Sequence, residues 1–235
     1  NISDAISALS LDDGKSLNPS LEHDFHAFLA LADILYKNRR FKDAVHILSR
    51  NGIILRPPLR RYASAYWKLA GFYRSQGNVD KAIAVFSQDG QTPRPFLRQD
   101  ISTHVFLAIL FFLRQDYQKA INTLAHVRDI STELNPTFLK PLFKRSPAAR
   151  NSMATILLHL QRYQEAVSFL SDDGTSLSPC VRANPVSWNL LATLFAIQKK
   201  LDEAVSTLSP DNGKNLYPQL KDDPSSYCNL ATILQ

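Results

Sequence analysis

Acidic residues next to glycine occur at three places where they could bind a metal ion. They form the sequences Asp12-Asp13-Gly14, Asp172-Asp173-Gly174 and Asp211-Asn212-Gly213. A calcium loop between two helices needs alternating oxygen ligands and a glutamate six residues after its glycine. The residues at that distance are instead Ser20, Cys180 and Gln219. The sequence therefore predicts turns held by side-chain hydrogen bonds, with no metal site and no cofactor.

Histidine, cysteine and serine do not form a catalytic or zinc-binding pattern. Of the six histidines only His23 and His26 are close in sequence, and neither Cys180 nor Cys228 lies near them. A zinc site needs a fuller set of closely spaced ligands. The sequence also lacks a Ser/His/Asp arrangement in a suitable context and a glycine-rich phosphate loop. We therefore expect no catalytic residues and a protein that is not an enzyme.

The composition is that of a folded chain with a moderate positive charge. Of its 235 residues 45% are hydrophobic and 20% are charged, so the chain can bury a core. The formal net charge of +6 would suit an acidic partner or nucleic acid. The longest apolar run, residues 105–113, is about half as long as a membrane span requires. Two cysteines are too few for a disulfide framework, and we expect a cytoplasmic protein.

Pairs of alanines twelve residues apart recur along the chain. They are Ala32/Ala44, Ala70/Ala82, Ala108/Ala120, Ala154/Ala166 and Ala192/Ala204. The first members are separated by 38, 38, 46 and 38 residues, and Ala5 and Ala231 continue the series at its two ends. Small residues on two helices let the helices cross closely. The fixed spacing therefore predicts a repeat of two helices with each alanine buried at a crossing.

Each repeat has the apolar spacing of two helices joined by a short polar turn. In the first repeat Phe28, Leu31 and Leu35 lie on one face of a helix, and a second helix opens at Phe41. Five of the seven glycines follow a second helix, where a left-handed residue would end it. All thirteen prolines lie between helix pairs. We therefore predict about eleven or twelve helices and no β-sheet.

These residues resemble the signature of the tetratricopeptide repeat (TPR). The resemblance rests on the large residue, leucine, alanine and aromatic residue of the first helix, and on alanine and Leu/Phe of the second. It implies an all-α fold, a right-handed α-solenoid of antiparallel helix pairs in a TPR-like superhelix. The period is 38 residues in most repeats, against about 34 in the family, and the extra residues lie in the links.

We expect one repeat array over residues 1–235, taken from a longer chain. Its units are a partial unit at 1–20, complete units at about 25–58, 63–95, 101–147, 148–179 and 185–218, and a partial unit at 225–235.

The family resemblance implies a scaffold that binds a peptide or helix of another protein, which the charge suggests is acidic. The binding groove would be lined by the first helices. Residues assigned to this groove by position are Tyr36, Trp67, Arg74, Ile109, Phe112, Asn151 and Asn189. Chaperone-binding members clamp a carboxylate with lysine and asparagine at the fifth and ninth positions of the first helix. This sequence has Leu29/Asp33, Trp67/Gly71 and Val105/Ile109 there, so that clamp is absent.

One link is longer than the others, and it could carry a second contact surface. The spacing between the third and fourth repeats is 46 residues where the others are 38. Insertions in repeat proteins often lie on a binding face. Aromatic and basic residues of the segment 127–147 could contact a partner, namely Phe138, Lys140, Phe143, Lys144 and Arg145. The alternative is an extended link whose aromatic residues pack into the core.

Two other functions stay open. The sequence Val186-Ser187-Trp188-Asn189 resembles a unit of the pentatricopeptide repeats, which read RNA bases with small polar side chains at one position of the first helix. At that position the chain has Leu29, Trp67, Val105, Asn151, Asn189 and Cys228. Two of these six fit, so nucleic acid is a weaker candidate partner than protein. The segment could also be a spacer or an oligomerisation arm of a larger protein.

Overall fold

The computed structural model describes residues 2–126, 138–140 and 143–235, which form helices joined by links. The helices of these residues are α1 Ile2–Leu9, α2 Phe25–Lys37, α3 Phe41–Leu48, α4 Ala63–Ser75, α5 Val79–Phe86, α6 Ile101–Leu113, α7 Tyr117–Leu124, α8 Pro147–His159, α9 Tyr163–Leu170, α10 Pro185–Ile197, α11 Leu201–Leu208 and α12 Pro224–Ile233. The predicted all-α fold of tandem helix pairs is confirmed. None of the described helices is long and apolar enough to cross a membrane.

The chain divides into two compact units, residues 1–115 and residues 116–235. In the first unit α2 packs against α3, and α4 packs against α5. The first helices α2, α4 and α6 are neighbours there, because α4 contacts both others. In the second unit α8 packs against α9, α10 packs against α11, and α10 contacts both α8 and α12. Each unit therefore places its first helices side by side. A single array over the whole chain stays a prediction.

Alanines occupy the contacts between paired helices, as the sequence predicts. The ten internal members of the series have no exposed surface, namely Ala32, Ala44, Ala70, Ala82, Ala108, Ala120, Ala154, Ala166, Ala192 and Ala204. Large side chains such as Leu35 and Leu48 are also fully buried. A larger residue in place of one of these alanines would force the two helix axes apart.

The two outermost alanines are not buried, so the prediction was wrong for them. Ala5 is partly exposed and Ala231 is exposed. Ala231 lies on α12, and this sequence contains no second helix after α12 to cross it. Ala5 lies on α1, which has no first helix before it in this sequence. An alanine of the series is covered only where its partner helix is present.

Most first helices begin at side-chain caps and end at left-handed residues. The Asp24 carboxylate accepts a hydrogen bond from the backbone N–H of His26 at 2.8 Å, which satisfies a free donor of the first turn of α2. Equivalent caps begin α6, α8, α10 and α12, at Asp100, Ser146, Asn184 and Asp223, whereas α4 begins after Tyr62 without a side-chain cap. The turn after each first helix contains a residue of positive φ, namely Arg39, Gly77, Gln115, Gln161 and Lys199. Four of these carry a side chain in a conformation that favours glycine.

Serine follows the second helices α3, α5, α9 and α11, Ala125 follows α7, and the glycines lie farther along in the links. The residues that follow these helices are extended, at Ser49, Ser87, Ser171 and Ser209. Gly52 comes three residues after Ser49 and has a φ of +84°. The prediction that these glycines end the helices was therefore wrong, although their left-handed conformation is as expected.

Each link folds back onto the end of the second helix. Ser49 forms an antiparallel bridge with Leu55, and the following backbone N–H, of Arg56, donates to the carbonyl of Leu48 at 3.0 Å. The same bridge recurs at Ser87–Pro93 and Ser171–Leu177. This contact satisfies a carbonyl group that the end of the helix leaves without an intrahelical partner.

The longer link keeps this geometry. Its bridge joins Ala125 to Leu139 and extends by one residue pair, which makes two short strands, β1 Ala125–His126 and β2 Phe138–Leu139. The expectation of no β-sheet was wrong for this pairing, because the link ends are held antiparallel. The eight extra residues therefore fall between His126 and Phe138. Most of the predicted insertion, at residues 127–137 and 141–142, lies outside the described residues.

Candidate partner-binding site

The first helices of the first unit present a row of accessible positions. Asp33, Gly71 and Ile109 occupy the ninth position of α2, α4 and α6, and all three are partly exposed. A β-carbon built on Gly71 would have no atom within 4 Å, so the surface is open above α4. Lys68 donates to the Asp33 carboxylate at 2.6 Å and neutralises its charge. The row, called here the first-helix strip, is thus open at Gly71 and occupied by an ion pair at Asp33.

Tyr36, a predicted anchor, is engaged in contacts between repeats. Its ring stacks on Phe72 with the centroids 4.2 Å apart and meets Phe41 edge to face at 5.1 Å. Its hydroxyl donates to Ser75. The side chain is partly buried, and its apolar surface contributes to the packing of α2 against α4.

Trp67 is also used between repeats, whereas Arg74 is more accessible. The indole N–H of Trp67 donates to the Thr103 hydroxyl at 2.9 Å, and this bond joins α4 to α6. Arg74 is exposed, and its guanidinium lies 5.1 Å from the centroid of the Phe106 ring. A cation held over an aromatic ring keeps its outward N–H donors available. Of these two predicted anchors, Arg74 has the geometry for direct contact.

The apolar end of the strip lies on α6. Ile109 and Phe112 are partly exposed, as a contact role requires. The adjacent Leu113 is 49% exposed and was not among the predicted contact residues. It lies at the last position of the helix, where the apolar period gives no signal.

In the second unit the two predicted asparagines hold neighbouring first helices together. Asn151 is 7% exposed, and its side-chain carbonyl accepts a hydrogen bond from the Ser187 hydroxyl at 2.8 Å. The Asn189 amide donates to Ser226 and Asp223, both at 2.9 Å. Because Asn151 is buried and the Asn189 amide already has two acceptors, these side chains have less capacity to read an RNA base.

These contacts follow one positional rule within each unit. The residue at the fifth position of a first helix bonds the residue at the third position of the next first helix. The three hydrogen-bonded pairs are Trp67–Thr103, Asn151–Ser187 and Asn189–Ser226. In the first repeat the same two positions hold Leu29 and Ala65, which are both apolar. The sequence contains a signal for this rule, because each of Trp67, Asn151 and Asn189 is followed 36 or 37 residues later by a serine or threonine.

The residues predicted at the longer link divide into structural and exposed ones. Phe143 is 1% exposed and packs in the core. The Lys140 ammonium donates to the carbonyls of Asn122 and Thr123 at 2.7 and 3.0 Å, so it caps the end of α7, and burial lowers its pKa. Lys144 and Arg145 are exposed. Phe138 lies in β2, and its side chain is outside the described residues.

The carboxylates of the links accept hydrogen bonds from their own loops. Asp89 accepts from the hydroxyls of Ser87 and Thr92 at 2.6 and 2.5 Å, and these bonds hold its pKa well below the ordinary aspartate value. In the last link the same arrangement lowers the pKa of Asp211 to about 2, chiefly through Asn215. Within the described residues, no three His, Cys, Asp or Glu side chains come together as metal ligands. The link aspartates therefore organise turns, as the sequence predicts.

Repeated helix pairs, alanines buried between the paired helices and neighbouring first helices define a class of helical-repeat protein. Residues 29–90, which include most of α2 and all of α3, α4 and α5, match the family profile described as tetratricopeptide repeat. This match supports tetratricopeptide repeats in that part of the chain. No curated protein matches the chain.

Proposed function

We propose that the chain is a non-enzymatic interaction module that binds an extended segment or helix of a partner protein across the first helices of its first unit. The family supports a protein-interaction scaffold in general. The observation that carries the particular surface is the open space at Gly71, with the partly exposed Asp33 and Ile109 at the same position of the neighbouring helices. Arg74 at one side and the apolar Phe112 and Leu113 on α6 would add a charged and an apolar contact.

Fewer residues are proposed to contact the partner directly than the sequence predicted. Tyr36 and Trp67 keep roles mainly in packing, and Asn151 and Asn189 are bound by their neighbours. We therefore assign direct contact to Arg74, Ile109 and Phe112. Binding of RNA through the fifth position is disfavoured, because the two asparagines that fit that function already donate or accept hydrogen bonds within the protein.

A display selection with the whole chain tests this proposal. Random peptides of about sixteen residues, displayed on phage, are selected on the wild-type protein, and binding of the enriched peptides is measured by fluorescence anisotropy. Gly71→Trp places a large side chain in the open space, and we expect it to weaken binding at least about tenfold, which is about 1.4 kcal/mol.

Gly71→Ala is the matched control for that variant. It adds one methyl group where no atom lies within 4 Å, so binding should be retained. Alanine also favours the helix over glycine, so the melting temperature should rise slightly. Equal binding by Gly71→Trp and wild type would refute this surface. Failure to enrich any peptide would favour the spacer or oligomerisation role.

A further inference from the structure

A cleft opens between the first two links of the first unit. It has a volume of about 350 Å³. Its apolar lining includes Pro57 and Pro58, which are exposed and partly exposed, together with the core residues Phe28 and Ile47, which have only 5% and 1% of their surface exposed. Arg50 and Arg56 line it on the side of the second link. A space of this size with an apolar wall and charged residues at its edge can take one large side chain of a partner.

The two arginines differ in how they are held. Arg56 donates to the carbonyl of His46 through two nitrogens, at 3.2 and 3.0 Å, which fixes its guanidinium at the end of α3. Arg50 is exposed, and no carboxylate among the described residues lies within ion-pair distance of it. Guanidinium groups bind carboxylates through paired hydrogen bonds when their orientation is fixed.

The surrounding sequence is strongly cationic. The cleft is also lined by Glu22 and His23, and Glu22 is its one carboxylate. Between Asp43 and Asp80 the chain has no acidic residue and six Lys or Arg residues, which are Arg50, Arg56, Arg60, Arg61, Lys68 and Arg74. The two arginines of the cleft outnumber its one carboxylate, and a net positive charge attracts acidic partners and speeds their association.

The cleft is a product of the repeat. The second unit has an equivalent cleft of about 370 Å³, with Leu177 and Trp188 in the places of Leu17 and Phe28. There the edge carries Arg182, and the wall includes Tyr217 and several hydroxyl groups. The shape therefore recurs with the links, whereas the arginine pair belongs to the first unit.

Aromatic residues beside the cleft do not offer open faces for nucleic-acid bases. The Tyr62 ring stacks on Phe25 at 3.9 Å, and the Arg61 guanidinium lies over it at 5.4 Å. Single-stranded nucleic acid is bound largely by stacking of bases on open aromatic faces. An apolar wall edged by arginines is instead complementary to an apolar side chain flanked by carboxylates.

We propose that this cleft binds an acidic segment of a partner protein, with one apolar side chain of the segment packed against Phe28, Pro57 and Pro58 and its carboxylates beside Arg50 and Arg56. The site is separate from the first-helix strip and uses different residues. A partner that reaches both surfaces would gain affinity from each contact.

Synthetic peptides test the proposal on the whole chain. The probes are fluorescein-labelled twelve-residue peptides rich in glutamate with one central leucine or phenylalanine, the same peptides with a central serine, and a twenty-nucleotide poly(U) RNA. In low salt we expect the acidic peptides with an apolar centre to bind, and the serine-centred peptides to bind at least about fivefold more weakly. Arg50→Glu should weaken binding about tenfold.

Lys42→Glu is the control, because it makes the same charge change at an exposed position of α3 outside the cleft. It should change the affinity less than about twofold. Circular dichroism confirms the helix content of both variants, and Gly71→Trp should leave this binding unchanged, which separates it from the first-helix strip. The proposal is overturned if the acidic peptides do not bind, if the central residue makes no difference, if Arg50→Glu and Lys42→Glu act equally, or if poly(U) binds more tightly than the peptides.

Discussion

Replacement of the buried Asn151–Ser187 pair should show that the contact between neighbouring first helices depends on both residues together. Ser187 has no exposed surface, and its hydroxyl donates to Asn151 at 2.8 Å. Ser187→Ala removes the donor and leaves a buried amide oxygen without this bond. A buried polar group deprived of its partner costs about 1–3 kcal/mol. Asn151→Leu should cost a similar amount, because the serine hydroxyl loses its acceptor.

The double variant should be more stable than either single one. Asn151→Leu with Ser187→Ala reproduces the residue types that the chain itself has at Leu29 and Ala65. Both polar groups are then replaced by apolar ones, which is nearly neutral when the space fits. We expect the double variant to lie within about 1 kcal/mol of wild type, so that the coupling energy is at least about 1 kcal/mol and no smaller than either single loss.

Urea unfolding followed by circular dichroism gives these energies, provided that the slope of the transition is unchanged among the four proteins. Repeat proteins unfold in parts when their cooperativity fails, so the midpoints are compared as well. The reasoning is refuted if the two losses simply add, or if Ser187→Ala costs less than about 0.3 kcal/mol.

Three further predictions concern the turns, the links and the helix crossings. Gln161→Gly should raise stability by about 0.5–1 kcal/mol, because the left-handed backbone at this position favours glycine. Gly77→Ala should lower stability by about 1 kcal/mol for the same reason. Thermal melts in which Gly77→Ala is the more stable variant would contradict this. Asp89 should titrate below the ordinary aspartate range, so the stability its carboxylate contributes is present above about pH 4 and is lost as the pH falls through the lowered pKa; an ordinary value in a carbon-13 titration would count against the link geometry. Ala154→Leu should overpack its crossing and cost about 1–3 kcal/mol in urea unfolding, whereas Ala231→Leu, on an exposed surface, should change little; equal costs would refute the crossing role.

The helix pairs could be predicted from the sequence because their signal repeats. Alanines such as Ala70 and Ala82 keep a fixed spacing, and their burial follows from the crossing they permit. The links were harder, because a serine that ends a helix in an extended conformation has no pattern of its own. Gly52 correctly indicated the link, but it does not lie at the end of the helix as predicted. Glycine indicates a left-handed conformation and does not by itself show where a helix ends.

The candidate site was only partly predictable, because periodicity shows which face a residue occupies and not which neighbour has already engaged it. Trp67 and Asn189 lie on first helices as expected, yet Thr103 and Ser226 of the next helices occupy their polar atoms. Gly71 is the opposite case. It has no side chain that could suggest a contact in the sequence, yet the structure has open space there. The cleft at Arg50 depends on two links meeting, which no single repeat reveals.

The contact between the fifth position of one first helix and the third position of the next restricts the order in which the repeats can follow one another. A repeat that carries Asn151 fits before one that carries Ser187, whereas before an alanine its buried side-chain carbonyl would lose this hydrogen bond. A repeat that carries Leu29 does not fit before one that carries serine at the third position, because the buried serine hydroxyl would then have no hydrogen-bond acceptor. We therefore expect a repeat of this chain to be exchanged, deleted or duplicated without loss of stability only when the new sequence keeps a matching residue at both positions of each pair.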